Sequence, residues 1–202
     1  MREINKFIYK VLFFFLIFFS VNAENKILSI GSSDAKITVK VFSSLTCPHC
    51  ANFHKNIFEN LKNEYINQNF VRFEHHSFPL DLAALNAEII VRCHLDNEKR
   101  FNLLGEIYKK QNKWAVGSDI KTINELIKKI GLDSGLNDTK MNECLKNESV
   151  QDQILNERIE AQKKYKIQST PTIYINENKY ENDHDYKSFK KAIEKLVKKY
   201  EI

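Results

Sequence analysis

The strongest constraint on this 202-residue chain is a switch of hydrophobic period on either side of residue 47. Ile37-Thr38-Val39-Lys40-Val41-Phe42-Ser43 is β-branched and largely alternating, which predicts a strand ending in a polar turn. From Pro48 to about Ile66, Phe53, Ile57, Phe58, Leu61 and Tyr65 recur at helical spacing while Asn and Lys fill the other face, which predicts an amphipathic helix. Asn69 to His76 alternates again. A strand, a helix and a second strand in that order form a βαβ unit, whose strands run parallel through a right-handed crossover. The chain is therefore committed to the α/β class.

Residues 26 to 30 read as a further short strand. From Asp81 to about Tyr165 the pattern is helical throughout. Leu82, Leu85, Ile89 and Cys93 line one face of the first segment, Phe101, Leu104, Ile107 and Tyr108 line the next, and Ile120 to Ile130 forms a third. Met141, Cys144 and Leu145 sit on a short helix before a long polar one, and Gly131 and Gly135 are expected to act as stops. After Thr170-Pro171 the chain returns to strand character at Thr172 to Ile175 and turns at Asn176-Glu177-Asn178. It finishes in a helix with Phe189, Ile193, Leu196, Val197 and Tyr200 on one face.

The N-terminus decides how the four cysteines are to be read. Arg2, Lys6 and Lys10 precede an almost purely aliphatic and aromatic run from Val11 to Phe19, and Val21-Asn22-Ala23 offers a cleavable site. This is the layout of a secretory signal peptide. The alternative, an uncleaved anchor, needs about 20 apolar residues and the run is shorter. An exported chain reaches a compartment where disulfides persist, here expected to be the periplasm. The formal charge of +5 includes three cations and one anion in the first 23 residues. The remainder is weakly basic, without a basic stripe interleaved with aromatics, so nucleic acid is not an expected partner.

The chemistry is concentrated in Cys47-Pro48-His49-Cys50. The two-residue spacing lets the sulfurs approach bonding distance, and the switch of period places Cys47 where the helix begins. Unpaired backbone N–H groups and the positive end of the helix dipole favour a thiolate there. Pro48 at the first helical position removes a donor that had no intrahelical partner, and His49 adds a donor or partial positive charge. In such settings a thiol pKa falls from about 8.5 into the range of about 3.5 to 7.5. Cys50, one turn further in, is expected to be more buried and to act as the resolving thiol.

A lone Cys-x-x-Cys also occurs in metal sites, but zinc needs two more ligands and the candidates His54, His75 and His76 are scattered. A plain structural bridge is the other bland reading, and so short a loop gains little from cross-linking. The Cys-Pro-His-Cys tetrad after Val41-Phe42-Ser43-Ser44, the helical block before the last two strands, and Ser169-Thr170-Pro171-Thr172 together resemble the DsbA family of thiol-disulfide oxidoreductases. The resemblance implies a thioredoxin-like fold with an inserted all-helical domain. Residues 1-23 would be the signal peptide, 24-80 and 166-202 the thioredoxin-like domain, and 81-165 the insertion.

It further implies Cys47 as nucleophile, Cys50 as resolving cysteine and His49 as tuning residue. Pro171 would be a cis-proline whose loop binds the substrate backbone, with Thr170 offering main-chain hydrogen bonds. From sequence alone Pro171 reads as a trans residue at a strand start. The working group would be the redox-active dithiol, with no further cofactor and no metal. The partners would be unfolded or partly folded exported proteins with cysteines, and a membrane reoxidase of the DsbB type. Two positions depart from the family pattern. Val41 stands six residues before the first cysteine, where several members carry a buried acid, and Thr170 stands where the best-known oxidases have valine. Threonine there also occurs in relatives with isomerase or reductase roles, so those remain the alternative to oxidation, beside a non-catalytic peptide-binding or zinc-binding module.

Cys93 and Cys144 lie on apolar helix faces. They are expected to form a structural disulfide, the competing reading being two buried small hydrophobes. Trp114 reads as a packing anchor, and His75 and His76 as surface or satisfied histidines.

Overall fold

The computed structural model describes residues 27–202, and the predicted signal segment lies outside the described residues. Five strands form one sheet in the order β1-β3-β2-β4-β5: β1 (Leu28–Ile30), β2 (Ile37–Ser43), β3 (Val71–Ser77), β4 (Thr172–Ile175) and β5 (Asn178–Lys179). β2 and β3 are parallel, in register from Ile37 opposite Val71 to Ser43 opposite Ser77. β1 runs antiparallel to β3, and β4 antiparallel to β2. β1, β2 and β4 lie within the runs that predicted them, and β3 ends one residue beyond its run, at Ser77.

The alternation of β2 sends Ile37, Val39 and Val41 into the main core. Phe42 and Ser43 are buried too, because both faces of the sheet are covered at this end. Phe42 packs with Phe78, Ala161 and Ile167 on the opposite face. Between β2 and β3 runs one continuous helix, α1, which is α-helical at Pro48–Phe53, π-helical at His54–Phe58, α-helical at Glu59–Leu61 and π-helical at Lys62–Ile66. The 3.6-residue period did not anticipate these π turns. Their wider winding keeps Phe53, Ile57, Phe58, Leu61 and Tyr65 all buried.

Six helices follow β3: α2 (Leu82–Arg92), α3 (Asn97–Lys109), α4 (Gln111–Trp114), α5 (Ile120–Asp133), α6 (Asp138–Leu145) and α7 (Glu148–Tyr165). The side chains of Asp81, Asp96, Asp119, Asn137 and Asn147 cap five of them by accepting from backbone N–H groups of the first turn. The C-terminal helix α8 (Tyr186–Tyr200) returns to the sheet, where Phe189 meets Phe53 edge to face at 6.0 Å. The main core runs unbroken from Val39 and Phe73 through Phe58 and Phe101 to Ile127 and Met141, so sheet and helical block share one apolar interior. Trp114 is buried and donates Nε1–H to the Ile107 carbonyl at 2.8 Å.

Several expectations need correction. Gly131 does not stop a helix but lies inside α5, facing the Met141 side chain where a Cβ would collide with its sulfur. Gly135, with φ of +90°, is the residue that ends the segment. Leu82 is exposed, because at the first position of α2 it points off the end of the buried face. The turn between β4 and β5 is confined to Asn176 and Glu177, since Asn178 already belongs to β5. Of the two states expected for His75 and His76 the structure has the satisfied one: both are buried and paired, with Glu88 at 2.7 Å and Glu74 at 3.0 Å.

Cys93 caps α2 and Cys144 lies on α6, with their sulfurs joined across 51 residues of sequence. A loop of that length corresponds to about 4 kcal/mol in the chain-entropy account of cross-links. Replacing both cysteines by alanine is expected to lower the unfolding free energy obtained from urea titration by up to that amount, with the far-ultraviolet spectrum unchanged.

Candidate active site

Cys47 is the N-cap of α1, with extended backbone at φ −78° and ψ 119°, and Pro48 opens the helix proper. Its carbonyl accepts from the N–H groups of Cys50 at 3.1 Å and Ala51 at 3.2 Å. The sulfur lies over the start of the helix and contacts the Thr170 carbonyl at 3.3 Å. The Thr170–Pro171 peptide bond is cis, the state implied by the resemblance, and it presents that carbonyl to the dithiol at the head of β4. The structure thus brings together Cys47, Pro48, His49, Cys50, Thr170 and Pro171. Cys93 and Cys144 lie apart, within the helical block.

Both cysteines are little exposed, Cys47 at 6% and Cys50 at 1%. Their ionisation is nonetheless opposed. The Cys47 thiol is held down to about 5, first by the hydrogen bond from Cys50, and then, against the cost of burial, by Thr170 and the backbone N–H groups of Cys50 and His49. Burial, reinforced by the charge of Cys47, pushes the Cys50 thiol far above its ordinary value. One sulfur is therefore an anion at neutral pH and its neighbour a thiol that donates to it.

The turn before Cys47 is held by side chains from the helical block. Gln111 on α4 donates to the carbonyls of Leu45 at 2.7 Å and Cys47 at 3.0 Å. Asp81 caps α2 through one carboxylate oxygen and accepts from the Thr46 hydroxyl through the other, at 2.7 Å in each case. Ser44 Oγ accepts from the Leu80 N–H. Sequence reasoning missed Gln111 and Asp81 in this role. Asp81 carried a signal as an N-cap, while Gln111, 64 residues from Cys47, carried none.

The core also holds buried polar groups. His75 Nε2 and Glu88 Oε1 are 2.7 Å apart, with both side chains at most 2% exposed. Burial opposes ionisation of Glu88 most strongly, but the His75 charge and hydrogen bond, with help from Arg92 and Ser77, outweigh it and hold the carboxyl below its ordinary value. Arg92 in turn forks onto Glu157 of α7 at 2.8 Å. Burial drives His54 down to about 3, so its imidazole is neutral. Among the described residues no cluster of three or more potential metal ligands occurs.

Comparison with known proteins agrees with this geometry. The thioredoxin family model matches residues 23–195. A Rickettsia bellii protein whose name reads "Putative protein-disulfide oxidoreductase" is 30% identical over 91% of this chain and 68% of its own. Disulfide bond formation protein D of Bacillus subtilis is 28% identical over 84% of this chain and 76% of its own. The chain spans 55 to 68% of the length of the rickettsial relatives it matches. Among solved structures, alpha-DsbA1 of Wolbachia pipientis superposes with a TM-score of 0.79 at 27% identity, covering 86% of this chain and 92% of the other. A strand and helix that meet at a Cys-x-x-Cys pair facing a cis-proline, together with these relatives, show that the chain belongs to the thioredoxin family, among the thiol-disulfide oxidoreductases of the DsbA type.

Proposed function

We propose that this protein donates disulfides to polypeptides exported into the periplasm, with Cys47 as the attacked sulfur and Cys50 as the resolving thiol. The observation that carries this reading is the opposed ionisation of the two sulfurs, one held down to about 5 and the other pushed far up. A stabilised thiolate stabilises the reduced pair. Each unit of pKa is about 1.4 kcal/mol, or about 30 mV for a two-electron couple, so the bridge becomes correspondingly oxidising.

In the forward reaction a substrate thiolate attacks Cys47 Sγ of the oxidised pair. The bridge electrons leave on Cys50, which takes up a proton, and a mixed disulfide forms. A second substrate thiolate then attacks the substrate sulfur of that bond, Cys47 departs as the thiolate, and the substrate has lost two electrons to the pair. The Thr170 carbonyl beside the sulfur supports a role for Thr170 and Pro171 in holding an extended substrate backbone by main-chain hydrogen bonds. Pro48 and His49 would tune the sulfur, with the His49 N–H contributing directly. The Val11 to Phe19 run with its cationic lead supports export, and a reoxidase of the DsbB type in the membrane would restore the bridge. The dithiol would serve as the only redox group. Threonine before the cis-proline keeps isomerase or reductase work as the second reading.

Three outcomes test this. Thiolate absorbance near 240 nm should follow one ionisation with a midpoint near 5, and a midpoint near that of free cysteine would remove the donor role. Cys47→Ser should abolish oxidation of a reduced multi-cysteine substrate, and persistence of that activity would make the dithiol irrelevant. The reduced form should melt above the oxidised form at neutral pH. Because the folded pKa lies below the unfolded one, this advantage is complete above about pH 9 and is lost as pH falls through about 5. A potential near that of a reductant, together with an oxidised form that melts higher, would favour the second reading.

A further inference from the structure

A primary amide nitrogen carries two N–H donors, and Gln111 directs both at the active-site turn. Its Nε2 is 2.7 Å from the Leu45 carbonyl oxygen and 3.0 Å from that of Cys47. The amide is anchored from the core outward. Trp114, three residues on, is 1% exposed and donates to the Ile107 carbonyl of α3, while the Ala115 N–H bonds the Gln111 carbonyl at 2.9 Å. Leu45 is fully buried, and among the described residues its carbonyl has no other hydrogen-bond partner.

The other bonds of the turn do different work. The Cys47 N–H donates to the Ser44 carbonyl at 3.1 Å, and the Cys47 carbonyl accepts from Cys50 and Ala51, as in any turn that enters a helix. The Thr46 hydroxyl is tied to Asp81, and Ser44 Oγ to the Leu80 N–H, so both act through side chains. Gln111 alone draws the carbonyl oxygens of residues 45 and 47 onto one atom. That convergence fixes the peptide planes flanking Thr46 and Cys47, and with them the extended ψ of 119° at Cys47. It also sets two N–H groups against the negative ends of two carbonyl dipoles beside the sulfur.

We propose that Gln111 is a positioning residue for thiol-disulfide exchange: its amide keeps the Cys47 sulfur over the first N–H groups of α1 and offsets the carbonyl dipoles next to the thiolate. This rests on the reading of Cys47 as the ionised, attacked sulfur. The oxidised bridge carries no sulfur charge for these groups to favour. Loss of the amide therefore falls on the reduced pair, and the helical block sets part of the redox balance through one side chain. Two neutral hydrogen bonds correspond together to roughly tenfold in an equilibrium constant, or about one unit of pKa.

The test uses Gln111→Leu, which keeps the bulk and removes both donors, and Gln111→Glu, which keeps the shape and sets a carboxylate against two carbonyls. Read by thiolate absorbance, the Cys47 midpoint is expected to rise by about one unit in Gln111→Leu and by more in Gln111→Glu. The equilibrium with glutathione should move about tenfold toward the oxidised protein, which is about 30 mV for a two-electron couple. Asn112→Ala, an exposed position on the same helix, should leave both readings native. A residue that only held the fold would lower the melting points of the oxidised and reduced forms alike, whereas here the reduced form should lose more. If the native midpoint lies near 5 and neither Gln111 variant moves it or the glutathione equilibrium, this inference alone is overturned. A native midpoint near that of free cysteine would remove the donor reading and this inference together.

Discussion

The site depends on a sulfur placed where a helix starts. An α-helix leaves its first N–H groups without intrahelical partners, and Cys47 as N-cap occupies the position from which those groups can be met. Everything around it makes that placement unavoidable. β2 delivers the chain to the site, Pro48 opens the helix, and the Gln111 and Asp81 side chains pin the preceding turn. The cis peptide at Thr170 closes the other side. A thiolate at this position is the species most favoured by its neighbours, and an oxidised bridge forgoes that stabilisation.

The second sulfur shows why burial and reactivity are separable. Cys47 and Cys50 differ by only a few per cent in exposure, yet one is an acid and the other nearly inert. Three residues along α1, Cys50 no longer has the leading N–H groups, so burial acts on it with less relief. The helices between β3 and β4 do more than cover the sheet: the Gln111 and Asp81 side chains hold the active-site turn.

Much of the fold was legible from local pattern. The alternating run Ile37 to Ser43 and the helical stripe of Phe53, Ile57, Phe58, Leu61 and Tyr65 both became what their periods implied. Failures occurred where packing overrode a local rule. Gly131 looked like a stop because glycine usually is one, but it is present to let Met141 approach the helix. The π turns of α1 are invisible to a fixed period, since they re-aim a stripe to follow the sheet.

By itself the sequence determined the βαβ order and the position of the dithiol at a helix start, because each is a matter of neighbouring residues and short-range backbone geometry, whereas a proline loop facing the sulfurs was implied only by the family resemblance. Only the tertiary structure decided which distant side chains meet in the interior and at the active-site turn. Gln111 reaching Cys47, Glu88 paired with His75, and Tyr108 against His54 are contacts between residues 13 to 64 apart in the chain. Such contacts leave no periodic trace, since a single buried polar side chain looks the same in a sequence whether it is satisfied, orphaned or facing a reactive sulfur.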